Sequence, residues 1–316
     1  MEDFEAISLG KRQKNRLWQK LYDQRYLFLM SLPFVFWVIL FRYVPIWGWT
    51  MAFQDYKPYL SFGEQQWVGL LHFSNVFKDA NFYLAMRNTL VMSFLSLATG
   101  FTFPIAFALF LNEIRGKIFK RTIQTISYLP HFVSWVIVAS MFSKLLGISG
   151  GVNQALMALG IIDKPVLWLS KGEYFWGLVT AIDLWKEIGW NSILYLAAMM
   201  GIDDELHEAA AIDGAGRFRR MWHITLPGIR PVIGILMIMS IGNLINIGFE
   251  KQFLLKTPLT IDYAQVLDLY ILHYGIEISQ YAWGTAVGIF KSVVSILLLV
   301  IANRFIKRFG EGSTVL

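Results

Sequence analysis

Three stretches of this chain carry no charged side chain over a length that crosses a lipid bilayer. They are residues 88–112, 122–143 (which holds only a neutral His131) and 231–249. A span needs about 20 mostly apolar residues. Three further runs have that length but carry charge. Residues 26–47 hold Arg42, residues 174–202 hold Asp183, Lys186 and Glu187, and residues 281–303 hold Lys291. Backbone groups in hydrocarbon must satisfy one another, so only helices and closed barrels span. Barrel strands read as alternating segments of about ten residues, whereas these runs are long and continuous. The sequence therefore predicts an all-α polytopic membrane protein with six transmembrane helices. Composition agrees. The chain is 56% hydrophobic and 16% charged, against about 45–50% and 25% for soluble domains. Its 25 Phe, 12 Trp and 13 Tyr exclude disorder. The absence of cysteine excludes disulfides, Cys-ligated zinc and iron–sulfur clusters.

The net charge of +6 is explained by topology. Six spans put both termini on one side, with residues 1–25, 113–122, 201–230 and 303–316. These segments carry 6, 4, 4 and 3 Lys and Arg, 17 in all. Residues 48–86, 144–172 and 250–280 on the other side carry 2, 3 and 2, or 7. By the positive-inside rule the first side is cytoplasmic. No basic helix or aromatic-basic sheet pattern points to nucleic acid. The apolar run after the basic N-terminus is too long for a signal-peptide core, so the first span is expected to be retained. The predicted organisation is a cytoplasmic N-terminal segment 1–25, a transmembrane domain 26–306 and a cytoplasmic tail 307–316. Outside, segment 50–86 interleaves Trp67, Phe73, Phe77, Phe82 and Tyr83 with polar residues, as an interfacial element does. Segment 144–172 has Gly breaks around a short predicted helix at 152–159.

Catalytic signatures are missing. No phosphate-binding G-x-x-x-x-G-K-[ST] occurs. His207-Glu208-Ala209-Ala210-Ala211 begins like H-E-x-x-H but lacks the second His, which refutes a zinc site there. There is no G-x-S-x-G elbow. No catalytic residue and no metal site are expected.

The loop 201–230 between the fourth and fifth predicted spans has its own texture. Asp203, Asp204 and Glu205 suit the positive end of a helix, Leu206 to Ala211 form helix well, and Gly214 and Gly216 break it. Small residues leave a slim face with Glu208 and Arg217 at its rim, open to close approach by another protein. An ordinary amphipathic connector is the bland alternative. The segment also matches a family pattern, E-A-A-x3-G-x9-I-x-L-P, in Glu208-Ala209-Ala210, Gly214, Ile224, Leu226 and Pro227. It resembles the cytoplasmic loop of permease subunits of bacterial ATP-binding-cassette importers, whose coupling helix docks on the ATPase subunit. Trp185-Lys186-Glu187-Ile188-Gly189-Trp190-Asn191 resembles the sugar-importing branch, the maltose-permease F type. Gly288-Ile289-Phe290-Lys291-Ser292 followed by Ala302-Asn303-Arg304 is similar to importers of rhamnogalacturonan, polygalacturonan and alginate oligosaccharides. The maltose protein has extra N-terminal spans and a large periplasmic domain that this sequence lacks, so its substrate site is not carried over.

The resemblance implies a type I importer permease fold and a non-catalytic subunit in the cytoplasmic (inner) membrane. It implies a second homologous permease, two ATPase subunits that bind ATP and Mg, an extracytoplasmic solute-binding protein and a saccharide substrate. No cofactor is expected in this chain. Glu208, Ala209, Ala210, Asp213, Gly214 and Arg217 would contact the ATPase.

Ionisable groups within spans are functional candidates by default. Asp183, Lys186, Glu187 and Lys291 all fall near the midplane at about 1.5 Å per residue. They could neutralise one another in a closed bundle. Alternatively, Trp185, Lys186, Glu187, Trp190, Asn191, Asn243, Asn246 and Lys291 could line a substrate path, with aromatic faces on sugar rings and an uncompensated Lys for a uronic-acid carboxylate. Arg42 is expected to snorkel, and His131, after Pro130, to pack at a kink. An ion-coupled secondary transporter using Asp183 and Glu187 as coupling carboxylates is the alternative in another class. The orientation can be tested directly, because the chain has no native Cys. A single Cys replacing Gly312 is expected to resist an impermeant thiol reagent in intact cells and to react once the membrane is opened. Labelling from outside would overturn the assignment.

Overall fold

The computed structural model describes residues 22–309, so the N-terminal segment up to residue 21 and the tail from residue 310 lie outside the described residues. The architecture is built almost wholly from helices. Helix α1 spans Arg25–Phe53. A two-residue antiparallel ribbon follows, β1 Gln54–Asp55 against β2 Gln66–Trp67. It is the one departure from all-α character among the described residues. Then come α2 Leu71–Val76, α3 Ala80–Asn112, α4 Lys117–Phe132, α5 Trp135–Leu145, α6 Gly151–Ala158 and α7 Gly172–Met199. The C-terminal part comprises α8 Asp204–Ile212, α9 Arg217–Gly228, α10 Arg230–Gly242, α11 Glu250–Leu255, α12 Ile261–Ala264, α13 Leu267–Ile271 and α14 Tyr281–Phe309.

Helices α1, α3 and α14 are long and apolar enough to cross a membrane, and the bent pairs α4–α5 and α9–α10 raise the number to five if each is one span. Helix α7 has 28 residues, about 42 Å at 1.5 Å per residue, and carries Asp183, Lys186 and Glu187 within it.

Two predicted spans differ from what apolarity suggested. Residues 122–143 are not one helix, because α4 and α5 meet at 103°. Pro130 offers no N–H, Val133 is extended at ψ 132°, and Ser134 starts a new helix by accepting from the Ile137 N–H. The run 231–249 is helical only to Gly242. Beyond it residues 243–245 form a turn and 246–248 have no regular structure, with Gly248 at φ +74°. Hydropathy reads composition, and both breaks lie within apolar runs.

Helices α3 and α7 form the most extensive pairing. On one side of it, Met92, Val138, Phe175, Val179, Ile182, Leu255 and Leu269 pack as a buried cluster. Toward the other end Leu109, Leu111, Tyr195, Met199, Met221 and Ile229 form a second. A third gathers Phe82, Ile245, Leu267, Tyr270 and Val287. Between Arg25 and Tyr43, by contrast, α1 buries no residue. Buried Asn88 ties α3 to the segment before α13, its amide donating to the carbonyls of Asp262 at 2.9 Å and Gln265 at 2.8 Å.

The approach of α7 to the end of α4 is closest at Gly189, where a Cβ would stand 2.1 Å from the Ser127 carbonyl oxygen. Gly177, on the same helix, has nothing within 4 Å. Gly189→Leu is expected to lower stability by at least about 1–3 kcal/mol, and Gly177→Leu to be tolerated. Thermal unfolding of the two purified variants checks this, and equal midpoints would refute the close packing.

Candidate functional site

The segment Trp185–Asn191 sits against the break between α4 and α5. A helix end leaves carbonyls without helical N–H partners, and at this end the Lys186 ammonium supplies a donor. Its Nζ donates to the His131 carbonyl at 2.6 Å and lies 3.2 Å from the Glu187 carboxylate. Lys186 is only 4% exposed. The second Glu187 oxygen is 2.6 Å from His131 Nδ1. The His131 ring stacks on Trp190 with centroids 4.1 Å apart and planes 1° from parallel. His131 thus packs at the kink as expected, and it is also a hydrogen-bond partner of Glu187, which the sequence reading missed. Trp185 meets the edge of Phe142 instead.

The other intramembrane charges do not neutralise one another. Asp183 pairs with Lys251 of α11 at 2.7 Å. Lys291 of α14 donates to Asp268 of α13, whose other oxygen accepts from the Gly248 N–H at 3.1 Å. The Trp135 ring stands beside both lysines, 5.8 Å from Lys186 Nζ and 6.0 Å from Lys251 Nζ, within the range of a cation–π contact. Lys251 and Asp268 belong to the segment 250–280, which the charge pattern assigns to the outside. Here it folds back against the helices. An available signal was the lone acid in Val266-Leu267-Asp268-Leu269-Tyr270, whose four apolar neighbours are all buried. Neither Lys186 nor Lys291 is therefore an uncompensated cation.

An uncharged recess opens between α3, α7 and α10. One cavity of about 330 Å³ is lined by Phe101, Trp190, Asn191 and Ser240 among others. It adjoins a second of about 250 Å³, lined by Ser93, Ser96, Asn191, Ser240 and Asn243. The two share Gly100, Phe101, Asn191 and Ser240, and no charged residue lines either. The structure thus brings Trp190, Asn191 and Asn243 to one wall. It does not bring Trp185, Lys186, Glu187, Asn246 or Lys291 there, and Asn246 donates to Ser295 Oγ at 2.9 Å.

The loop 201–230 forms a third feature. Asp203 caps α8 by accepting from the Glu205 N–H at 3.0 Å. At the other end the Gly214 N–H reaches the Ala211 carbonyl at 3.1 Å and the Ala215 N–H the Ala210 carbonyl at 2.8 Å. This is a Schellman cap, and Gly214 takes the left-handed conformation it requires, at φ +79°. Glu208, Ala209, Asp213, Gly214 and Arg217 are exposed and Ala210 is half-buried. Among the described residues no ion pair involves Glu208, Asp213 or Arg217.

The pairing of Lys291 yields a double-mutant test. Lys291→Met leaves the half-buried Asp268 without its counter-charge, which is expected to cost about 3 kcal/mol. Adding Asp268→Asn is expected to restore much of it, and adding Glu187→Gln to restore none. Unfolding midpoints of the three variants decide, and rescue by Glu187→Gln would contradict the pairing.

Comparison with known proteins gives these features a common frame. Residues 100–311 match the family described as binding-protein-dependent transport system inner membrane component. The chain is 44% identical over 308 residues to the polygalacturonan/rhamnogalacturonan transport system permease protein YteP of Bacillus subtilis (strain 168), covering 97% of this chain and 95% of that protein. It is 43% identical to protein LplB of the same organism over 288 residues, 91% and 90% of the two chains. A crystal structure of a bacterial ABC transporter involved in import of the acidic polysaccharide alginate superimposes with a TM-score of 0.84 at 38% identity, over 94% of this chain and 100% of that one. A second, of the alginate transporter with an alginate pentasaccharide-bound periplasmic protein, gives 0.85 at 38% identity, over 95% and 100%. An ion-coupled transporter with Asp183 and Glu187 as coupling groups finds no support, since both carboxylates are ion-paired. The fold is that of a type I importer permease, and the chain belongs to the family of binding-protein-dependent transport system inner membrane components.

Proposed function

We propose that this chain is one transmembrane subunit of an ATP-driven importer that carries oligosaccharides across the bacterial cytoplasmic membrane. The observation that carries the reading is the match, over nearly the whole chain, to an alginate transporter bound to its saccharide-loaded periplasmic protein. Fragments of uronic-acid polysaccharides such as alginate or pectin are the substrate class. In this reading six spans cross the membrane, the two bent pairs and α7 joining α1, α3 and α14, with both termini cytoplasmic. The chain pairs with a second, homologous permease. An extracytoplasmic binding protein delivers the sugar, and two separate ATPase subunits bind ATP and Mg.

The uncharged recess suits the ring and hydroxyls of a saccharide. Trp190 offers a face for stacking, and Asn191, Asn243 and Ser240 offer donors and acceptors without charge. Because Lys186 and Lys291 are already paired, counter-charge for a uronate comes from elsewhere in the assembly. Helix α8 is the coupling element. Glu208, Ala209, Ala210, Asp213, Gly214 and Arg217 form the face that docks on the ATPase, and closure of the ATPase pair moves the permease as a rigid body between two access states. The Schellman cap keeps α8 short and lets the chain reverse into α9.

Transport by the assembled importer in proteoliposomes tests this. Uptake is expected to require ATP and to ignore an uncoupler. Gly214→Trp strains the left-handed cap and fills the slim face. It is expected to lower uptake and substrate-stimulated ATP hydrolysis at least tenfold while the spans remain inserted. Uptake that collapses with uncoupler would remove the importer reading, and full coupling in Gly214→Trp would remove α8 from it.

A further inference from the structure

Behind α8 lies a polar cavity that the transport reading leaves unused. It measures about 540 Å³ and is lined by Arg115, Arg217, Arg220 and His207, with Glu113 and Asp204, beside Met199, Met200 and Ile202 at the end of α7. Guanidinium groups stay charged at any physiological pH. Yet among the described residues none of the three arginines forms an ion pair, with Glu113, Asp204 or any other carboxylate. Arg220 reaches only the His207 carbonyl, at 3.4 Å, and its Nε is buried with no partner. Three guanidiniums around one cavity, none of them ion-paired among the described residues, favour an anion inside it.

The surroundings say which anion. Helix α4 starts two residues after Arg115 and carries Lys117, Lys120 and Arg121, none of them in an ion pair among the described residues. The same turns present bare apolar side chains, with Ile118 85% and Phe119 62% exposed, and Met200 at the cavity is 86% exposed. Basic and large apolar side chains together on the first turn of a span mark the level of the membrane interface. Basic pockets between membrane helices at that level take lipid headgroups.

We propose that this cavity binds the phosphodiester headgroup of an anionic phospholipid, held by Arg115 and Arg220, with its acyl chains along the exposed apolar residues of α4. The inference rests on the membrane location of the family and not on the proposed coupling role of α8. Glu205, Glu208 and Ile212 are exposed and do not line the cavity, so a protein docked on them leaves the arginines to another ligand. Arg217 is shared with that docking face, so the test uses Arg115 and Arg220.

The experiment titrates the delipidated importer assembly in detergent with phosphatidylglycerol, phosphatidylcholine or inorganic phosphate. Bound lipid is counted by native mass spectrometry, and thermal stability is followed in parallel. The wild type is expected to retain phosphatidylglycerol in preference to phosphatidylcholine. Arg115→Gln with Arg220→Gln is expected to weaken that retention roughly tenfold or more. Lys57→Gln, remote in sequence from both the cavity and α4, is expected to leave it unchanged. Equal retention of the two lipids by the wild type would overturn the proposal without recourse to any variant. So would stabilisation by inorganic phosphate equal to that by phosphatidylglycerol, which would assign the cavity to a soluble anion. Loss of ATPase binding in the double variant with lipid retention intact would assign the arginines to the protein interface instead. None of these outcomes bears on whether uptake requires ATP, so this proposal and the importer reading fail separately.

Discussion

A carbonyl that has lost its helical N–H needs another donor, and the bend between α4 and α5 is organised around one such group. The break after Pro130 frees the His131 carbonyl, and Lys186 donates to it. Burying an ammonium demands a counter-charge, and Glu187 provides it while also engaging the His131 ring. That ring then lies flat on Trp190. Gly189 completes the fit by letting the α7 backbone approach Ser127. Five consecutive positions, Lys186 to Trp190, include four that serve one bend, which accounts for their chemistry without requiring any of them to touch cargo.

The same logic explains two further ion pairs, Asp183–Lys251 and Lys291–Asp268. Asp183 and Lys291 sit on separate long helices, and each is met by a residue from the short helices after α10. Lys251 and Asp268 reach inward because that segment turns at Gly248 and folds back, with Asn88 receiving its backbone through two hydrogen bonds. A connection that the charge pattern assigns to the outside therefore supplies the counter-charges of two long helices. It is a structural member as much as α3 or α7.

Much of this was legible in sequence, and the limits have physical reasons. Long charge-free runs announce helices because lipid admits little else: α7 matches its run within three residues at each end, α3 ends and α14 begins where their runs do, while α3 starts earlier and α14 extends further than apolarity alone marks. The α8 cap was legible as well, because Gly214 follows a strong helix former, and the prediction that it breaks the helix holds. A kink at Pro130 was legible, but not that one helix ends there and another starts at a capping serine, 103° away, because the apolar run continues through both. The partners of Lys291 and Asp183 were not legible either. Depth along a helix can be counted from sequence, but which loop returns to meet it is set by long-range packing. Of the residues suspected of meeting cargo, Trp190, Asn191 and Asn243 share a wall, and the charged ones have other occupations.

An uncharged wall also shapes kinetics. Hydrogen bonds and ring contacts act over a few ångströms and are not attenuated by dissolved ions, unlike attraction between separated charges, which fades beyond about 8–10 Å at physiological ionic strength. A saccharide passing Trp190, Asn191 and Asn243 would feel the same surface in dilute and in salty cytoplasm. Each such contact is weak and readily exchanged for water, so a wall of this kind would hold a saccharide without a deep well. Dwell time on it would be short, and the pace of release would fall to the motion of the helices.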